Sequence, residues 1–452
     1  MKKRTSLSLA QSNGTLLDKN EVIEAEERWA NMTNPYRFMI PRNKFVISRE
    51  DQEILRRLAG QVAQLAARPI ENEKRDLWFR HNALEATRPL IWCMAGGAWK
   101  EIITETQIQC QGELAREWEI PLRREIFWGE SMGDDRVIEP YFEIPYIYEE
   151  SDFGMHATKV GGQNGGAYTW ESPLKSYDDL SKLHFPSISV DYEATNSLLS
   201  LAKKVLGDLL TVRLKGIWFG SLGMTTAVVS LRGLQQIMFD AYDYPEEFHQ
   251  LMGILRDGTM AKLDFLEKNA LLSLNNDGTK VGSGGFGYTR ELPQKDFDGK
   301  TVRTYDMWGF CESQETVGFS PDMFAEFFFS YQLPLLERFG LNCYGCCEPL
   351  DKRWHVIRNT PRLRRVSVSA WANQADMADK LGDQYIYSMK LHPLDMTERF
   401  LDEERIRTGL RRAFQITRNC RVELIFSFPE SGNTPQNVRR WCQIAHEEAE
   451  AI

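Results

Sequence analysis

The strongest constraint on this chain is a repeating alternation. From residue 88 onward, apolar runs of strand length end in glycine or polar turns, and a helical pattern or a loop follows each. The runs begin at Leu90 and Val212 and recur at 271–275, 306–311, 341–344, 365–370, 385–389 and 422–426. Parallel strands cannot be joined by a tight hairpin, so strand–helix alternation implies a parallel sheet with helical crossovers. Eight such units predict an α/β fold, a (β/α)8 TIM barrel over residues 76–452, with a doubly wound open sheet as the structural alternative.

The remaining segments read as additions to that frame. Residues 1–75 carry helical spacing at 20–31 and 48–67, with Ser48 as an N-cap, and are expected to form a solvated helical extension. A helix is expected at 100–118. Residues 119–190 are irregular, aromatic-rich and centred on a glycine cluster, which predicts an insertion of lid or hairpin type. The formal charge of −9, from 55 basic and 64 acidic residues, argues against a nucleic-acid surface. No run reaches the roughly 18 apolar residues a membrane helix needs. The basic start Met1-Lys2-Lys3-Arg4 lacks a following apolar core, and the eight cysteines form no small-domain framework, so a cytoplasmic protein with reduced thiols is expected.

In a barrel, the C-terminal strand ends share one mouth. The densest chemistry lies at 341–349, where Cys343, Tyr344, Cys346, Cys347 and Glu348 follow a strand. Thiolates beside a carboxylate are a zinc-ligand set, although cysteines also simply pack. Neighbouring cysteines on a regular strand face opposite ways, so Cys346 and Cys347 can share a metal only if the backbone turns, and Gly345 and Pro349 supply turn chemistry. Other strand ends add Met94, Asn276, Gln314, Trp371 and His392 as substrate contacts, and Glu312 and Lys390 as acid/base or carboxylate-binding groups. Tyr344 joins them as a catalytic candidate, Glu430 as a metal ligand. Trp92 and Trp308 offer flat apolar walls. The glycine-rich stretch 282–287 lacks the Lys-Ser/Thr of a phosphate cradle and reads as a mobile flap.

Several stretches, in order, resemble the uroporphyrinogen decarboxylase superfamily over roughly residues 80–450. Arg88-Pro89-Leu90-Ile91-Trp92-Cys93-Met94 is similar to its first barrel strand. Gly220-Ser221-Leu222-Gly223-Met224-Thr225-Thr226-Ala227, Leu231-Arg232-Gly233-Leu234 and Tyr244-Pro245-Glu246-Glu247 resemble its glycine turn and following helices. Gly318-Phe319-Ser320-Pro321-Asp322-Met323-Phe324 and Asn433-Thr434-Pro435-Gln436-Asn437-Val438 are similar to two helix starts. The decarboxylases follow the first strand with substrate-binding arginines; here the stretch is Ala95-Gly96-Gly97-Ala98-Trp99, which speaks against porphyrinogen decarboxylation.

The resemblance is closer to the cobalamin-dependent methyltransferase branch, of the methylcobamide:coenzyme M methyltransferase-like kind. That branch binds zinc through "His-x-Cys-Gly" and a late cysteine. Cys346 falls on the family cysteine, Tyr344 stands at the histidine position, and Ser427-Phe428-Pro429-Glu430 offers no late cysteine. The resemblance implies methyl transfer between a small substrate and cobalamin on a separate corrinoid protein, a zinc site with an altered ligand set, and a homodimer. The alternatives are a metal-independent decarboxylase or lyase for a small carboxylate, with Lys390 and Arg290 as its cations, and a non-catalytic ligand-binding barrel.

Overall fold

The computed structural model describes residues 40–161, 168–392, 401–428 and 434–452; the helix expected at 20–31 and Glu430 lie outside the described residues. Its centre is a six-stranded sheet. The strands are β1 (Leu90–Met94), β8 (Trp308–Cys311), β9 (Leu341–Tyr344), β10 (Leu363–Val368), β11 (Ile386–Lys390) and β12 (Arg421–Ser427), in the order β1-β12-β11-β10-β9-β8. Every ladder in this sheet is parallel. The first and last strands are neighbours, with Met94 opposite Ser427. These strands are runs of Val, Ile, Leu, Phe, Tyr and Cys, the composition of strands buried on both faces.

The described ladders do not close into a barrel. β2 (Tyr141–Ile144) and β7 (Thr211–Leu214) form a separate parallel pair. β2 comes from the segment expected to be irregular, so 119–190 is only partly an insertion; its remainder forms the small antiparallel pairs β3 (Tyr148–Glu150) with β6 (Ile188–Val190), and β4 (Thr158–Gly161) with β5 (Tyr168–Glu171). The strand expected at 271–275 is not a strand. Asn275 instead uses its side-chain amide as a ladder rung: its Oδ1 accepts from Trp308 N at 2.9 Å and its Nδ2 donates to Trp308 O at 3.0 Å. Ser273 does the same on the other side, accepting from Gly216 N at 3.0 Å. Backbone Leu222 N reaches Phe310 O at 2.9 Å. Polar side chains and single backbone bonds thus bridge the stretch between β7 and β8.

The helices explain where the sequence reading needed correction. α1 (Arg49–Ala66) starts as expected, with the Ser48 hydroxyl accepting from Asp51 N. It is not a solvated arm. Leu55, Leu58, Ala59 and Val62, spaced on one helical face, are buried in a second core with α3 (Glu113–Phe127), α4 (Tyr192–Leu206), β2 and β7. Asp51 also accepts from Gln111 N and Gly112 N, at 2.8 and 3.0 Å, tying α1 to the start of α3. α2 (Pro69–Asn82) runs through the expected boundary at 75, and its buried Trp78 meets Phe286 at 5.1 Å. The helix expected at 100–118 is one turn, Trp99–Ile102, followed later by α3, because Glu119 accepts from Gln109 N and Cys110 N and folds the approach into a loop. Gly233, at φ 95°, separates α5 (Thr225–Arg232) from α6 (Leu234–Asp243). α7 (Pro245–Lys268) follows, then a helical stretch whose π turn at Ala325–Phe329 leads into α8 (Ser330–Leu336). α9 (Gln374–Leu381), α10 (Glu403–Ile416) and α11 (Pro435–Glu450) follow along the chain.

The glycine-rich stretch 282–287 is not a flap. Gly284, Gly285, Phe286 and Gly287 are buried, threaded between α2 and the sheet. Gly285 N donates to Glu423 Oε1 at 2.9 Å, and Asn82 Nδ2 caps the carbonyls of Phe286 and Tyr288. A Cβ on Gly285 would lie 2.5 Å from the Trp78 ring and 2.8 Å from Glu423 Oε2, so only glycine fits. Gly285→Ala is expected to cost about 1–3 kcal/mol by overpacking, read as a lower urea midpoint. Gly253→Ala in α7, where an added Cβ meets nothing within 4 Å, is expected to be neutral or to stabilise by about 0.5–1 kcal/mol.

Candidate functional site

Parallel pairing brings the C-terminal ends of β1 and β8–β12 to one edge, and a cavity of about 730 Å³ opens there and extends toward β2 and β7. Glu312, Gln314, Cys346, Lys280 and Ser283 line its sheet end, with Trp308 and Phe310 as aromatic walls. Its outer part carries Arg213, Lys215, Glu143 and Glu139. These outer charges are matched: Arg213 pairs with both Glu143 and Asp277 at 2.6 Å, and Lys215 donates to Leu274 O and Thr279 Oγ1 at 2.7 Å.

The turn after β9 arranges the two thiols. Gly345 has φ 94°, a conformation open to glycine, and its N still bonds Cys311 O at 2.9 Å. The chain therefore leaves the strand's alternation just before the cysteines, and Cys346 Sγ and Cys347 Sγ come to 3.6 Å. Neighbouring strands hold this shape. Ser367 Oγ donates to Cys346 O at 3.0 Å, Ser369 Oγ to Cys347 O at 2.6 Å, and Ser283 Oγ to Gly345 O at 2.5 Å. Glu348 is buried and spans the turn, its two oxygens accepting from Ser313 N at 2.8 Å and Cys346 N at 3.0 Å.

Desolvation sets the protonation of the mouth. Burial pushes the Glu312 carboxyl up to about 8, helped by the nearby charges of Glu315 and Glu348 and opposed by the Gln314 backbone N–H. Burial pulls the Lys390 ammonium down to about 8, and lowers Lys280 as well. Between the thiols, the hydrogen bond from Cys346 brings Cys347 down to about 7, with Lys390 assisting, while Cys346 is pushed up by the same bond. The pair therefore loses its first proton near neutrality as a unit. At pH 7 the mouth combines a neutral carboxylic acid, a readily ionised dithiol and two poorly solvated lysines.

The sequence-derived candidates divide. Glu312, Gln314 and Cys346 line the cavity; Cys347 stands beside Cys346, and Lys390 lies within electrostatic reach of Cys347, its Nζ donating to Ser388 Oγ at 2.7 Å. Met94 is at the mouth, where its Sδ lies 3.5 Å from Lys280 Nζ. Trp371 is 60% exposed at the rim, its ring centroid 5.3 Å from that of His392. Tyr344 does not face the cavity: its hydroxyl is buried between Ser313 Oγ and Gln332 Oε1, both at 2.5 Å, because strand alternation turns it toward α8. Asn276 is committed to Leu292 O at 2.7 Å and holds a loop. Trp92 packs on Phe286. Arg290 sits away from the mouth, over Phe79 and beside Asp76. Lys280 and Ser283 are not among the sequence-derived candidates; Ser283 belongs to the stretch read as a flap, and Lys280 stands two residues before it, where a lone Lys gives no periodic signal.

The zinc expectation can be tested against these donors. A tetrahedral zinc with bonds of about 2.3 Å to sulfur holds two sulfurs about 3.8 Å apart, close to the pair here. Among the described residues, however, no three His, Cys, Asp or Glu side chains are placed to hold a metal, and Glu348 is engaged by backbone donors. The described residues supply two corners and do not complete a zinc site.

No protein-family model matches the chain, and no curated protein matches it. Among solved structures, a methyltransferase from Methanosarcina mazei is similar over 83% of this chain and 98% of that one, at 10% identity and a TM-score of 0.45.

The raised Glu312 pKa has a consequence for stability. A carboxyl whose folded pKa stands near 8, against an ordinary 4.5, favours the folded state fully below the ordinary value, and that contribution is lost as pH rises toward the folded value. Urea unfolding of the wild type and Glu312→Gln across pH 4.5–8 should therefore show the variant gaining relative to the wild type as pH rises. A constant difference across that window would contradict the assignment.

Proposed function

We propose that this chain is a methyltransferase of the uroporphyrinogen decarboxylase superfamily, built on a (β/α)8 barrel, that moves a methyl group between a small substrate in the cavity and cobalamin carried by a separate corrinoid protein. The observation that carries the reading is the grouping of Glu312, the Cys346–Cys347 pair and the lysines at the strand ends beside one cavity. The ordered motif resemblance and the match of Cys346 to the family cysteine support it, as does the adjacency of the first and last strands. A homodimer belongs to the same proposal.

Methyl transfer leaves charge on the atom that loses or gains the methyl group. Glu312, neutral at pH 7, is suited to give its proton to the substrate atom as the bond to the methyl carbon breaks. In the opposite direction the same carboxylate takes the proton that the substrate atom sheds on gaining the methyl group. Lys390 and Lys280 hold an anionic part of the substrate, and Gln314 and Ser283 orient it. Trp308 and Phe310 keep the reacting end dry, which strengthens each of these contacts. The corrinoid supplies the cobalt that takes or gives the methyl group. No step is routed through zinc.

The direct test combines the full chain with a corrinoid-binding partner and a panel of methylated small molecules, followed by the corrinoid's visible spectrum. One donor class should change the spectrum, and Glu312→Gln should lower kcat about 10²–10⁴-fold. A silent panel in both directions would reject the reading.

The desolvated lysines favour one competitor, a decarboxylase acting on a small carboxylate, for which Lys280 rather than Arg290 joins Lys390. Release of carbon dioxide without any corrinoid, abolished in Lys390→Met, would select it.

A further inference from the structure

The mismatch with zinc points elsewhere. The two thiols are side by side, yet no third His, Cys, Asp or Glu among the described residues joins them to hold a metal. They are also fixed before anything binds: Gly345 sets the turn, Ser367 and Ser369 pin the two carbonyls, and Glu348 pins the Cys346 amide. A preset pair of sulfurs selects soft elements over hard ones. An atom with bonds of about 2.3 Å to two sulfurs, at angles of about 90–110°, holds them about 3.3–3.8 Å apart. The observed 3.6 Å lies within that span.

We infer that Cys346 and Cys347 form a two-sulfur chelate for an organic compound of a soft element that needs only two thiolates and brings its remaining substituent with it, a monosubstituted trivalent arsenical being the ligand class. The exchange balances without a redox partner. Two arsenic–oxygen bonds of R–As(OH)₂ break, two arsenic–sulfur bonds form, and the thiol protons leave in two waters. Cys346 lines the cavity with Phe310 and Trp308, so the organic substituent has an apolar wall to lie against. Cys346 and Cys347 are the cysteines the structure leaves accessible; the other six are buried, so the assignment is specific. The inference goes beyond methyl transfer and does not depend on it.

The probe is phenylarsine oxide, added to the reduced full-length chain and read by intact-protein mass spectrometry. The expected result is one phenylarsenic group per chain, removed by a small dithiol but not by excess monothiol. In the wild type, peptide mapping should show both Cys346 and Cys347 protected from iodoacetamide, which keeps the test independent of any variant's folding. Cys346→Ser and Cys347→Ser should each weaken binding about 100-fold or more, since one sulfur loses the effective concentration of its neighbour. Cys110→Ser should bind as the wild type does. No adduct on the wild type, an adduct that survives in both serine variants, or a bound zinc that the arsenical cannot displace would overturn the inference. Failure of the corrinoid assay would leave this result unaffected, because no corrinoid is present.

Discussion

The pairing of β1 with β12 is the constraint on which the rest depends. It joins residues more than 300 positions apart, Leu90 opposite Glu423 and Met94 opposite Ser427. With β8 to β11 already parallel, this ladder places the ends of all six strands on one edge. The β8–β11 ladders bring the thiol turn and Lys390 to one edge, and the β1–β12 ladder adds Met94, whose Sδ lies 3.5 Å from Lys280 Nζ, to the same mouth. It also brings Glu423 over the interior, where the glycine-rich stretch and α2 meet the sheet.

That interior is held by a buried polar cluster. Glu423 stays ionised against the cost of burial because the Arg365 guanidinium, 3.1 Å away, and the His81 ring face it. Asn82 joins Arg365 at 2.7 Å. The glycines at 284 and 285 let the backbone approach these groups, since a Cβ on Gly284 would stand 2.2 Å from Arg365 Cδ. The cluster thus fixes the strand floor beneath the mouth. Lys390 feels Glu423 from above, so floor and mouth are electrostatically linked.

The mouth works by keeping charged groups poorly solvated. Burial raises the Glu312 carboxyl to about 8 and lowers the Lys390 ammonium to about 8, so both groups titrate near neutrality. The outer cavity is the opposite case: Arg213, Lys215 and their carboxylates neutralise one another and make a polar but balanced entrance. A ligand therefore meets unmatched chemistry only at the sheet end.

Much of this was legible in the sequence, and the pattern of success is physical. Seven of the expected strands appear because each is a short apolar run bounded by turn residues, and local composition alone encodes that. Cys346, Cys347, Glu312, Gln314 and Lys390 lie at one end of the sheet, as expected, because strand ends in a parallel sheet converge. The Gly345 turn was anticipated from glycine beside paired cysteines. What the sequence did not reveal depends on partners far along the chain. Asn275 replaces a strand's backbone because Trp308 offers it two bonds. Tyr344 turns inward because Gln332 waits there. The stretch 282–287 is a buried plug because Trp78, Glu423 and Arg365 surround it, and residues 49–66 form core because α3 and α4 cover their apolar face. Strand identity and thiol spacing are local properties, set by side-chain type and glycine's dihedral freedom. Burial and proton affinity are set by neighbours, and only the tertiary structure supplies those.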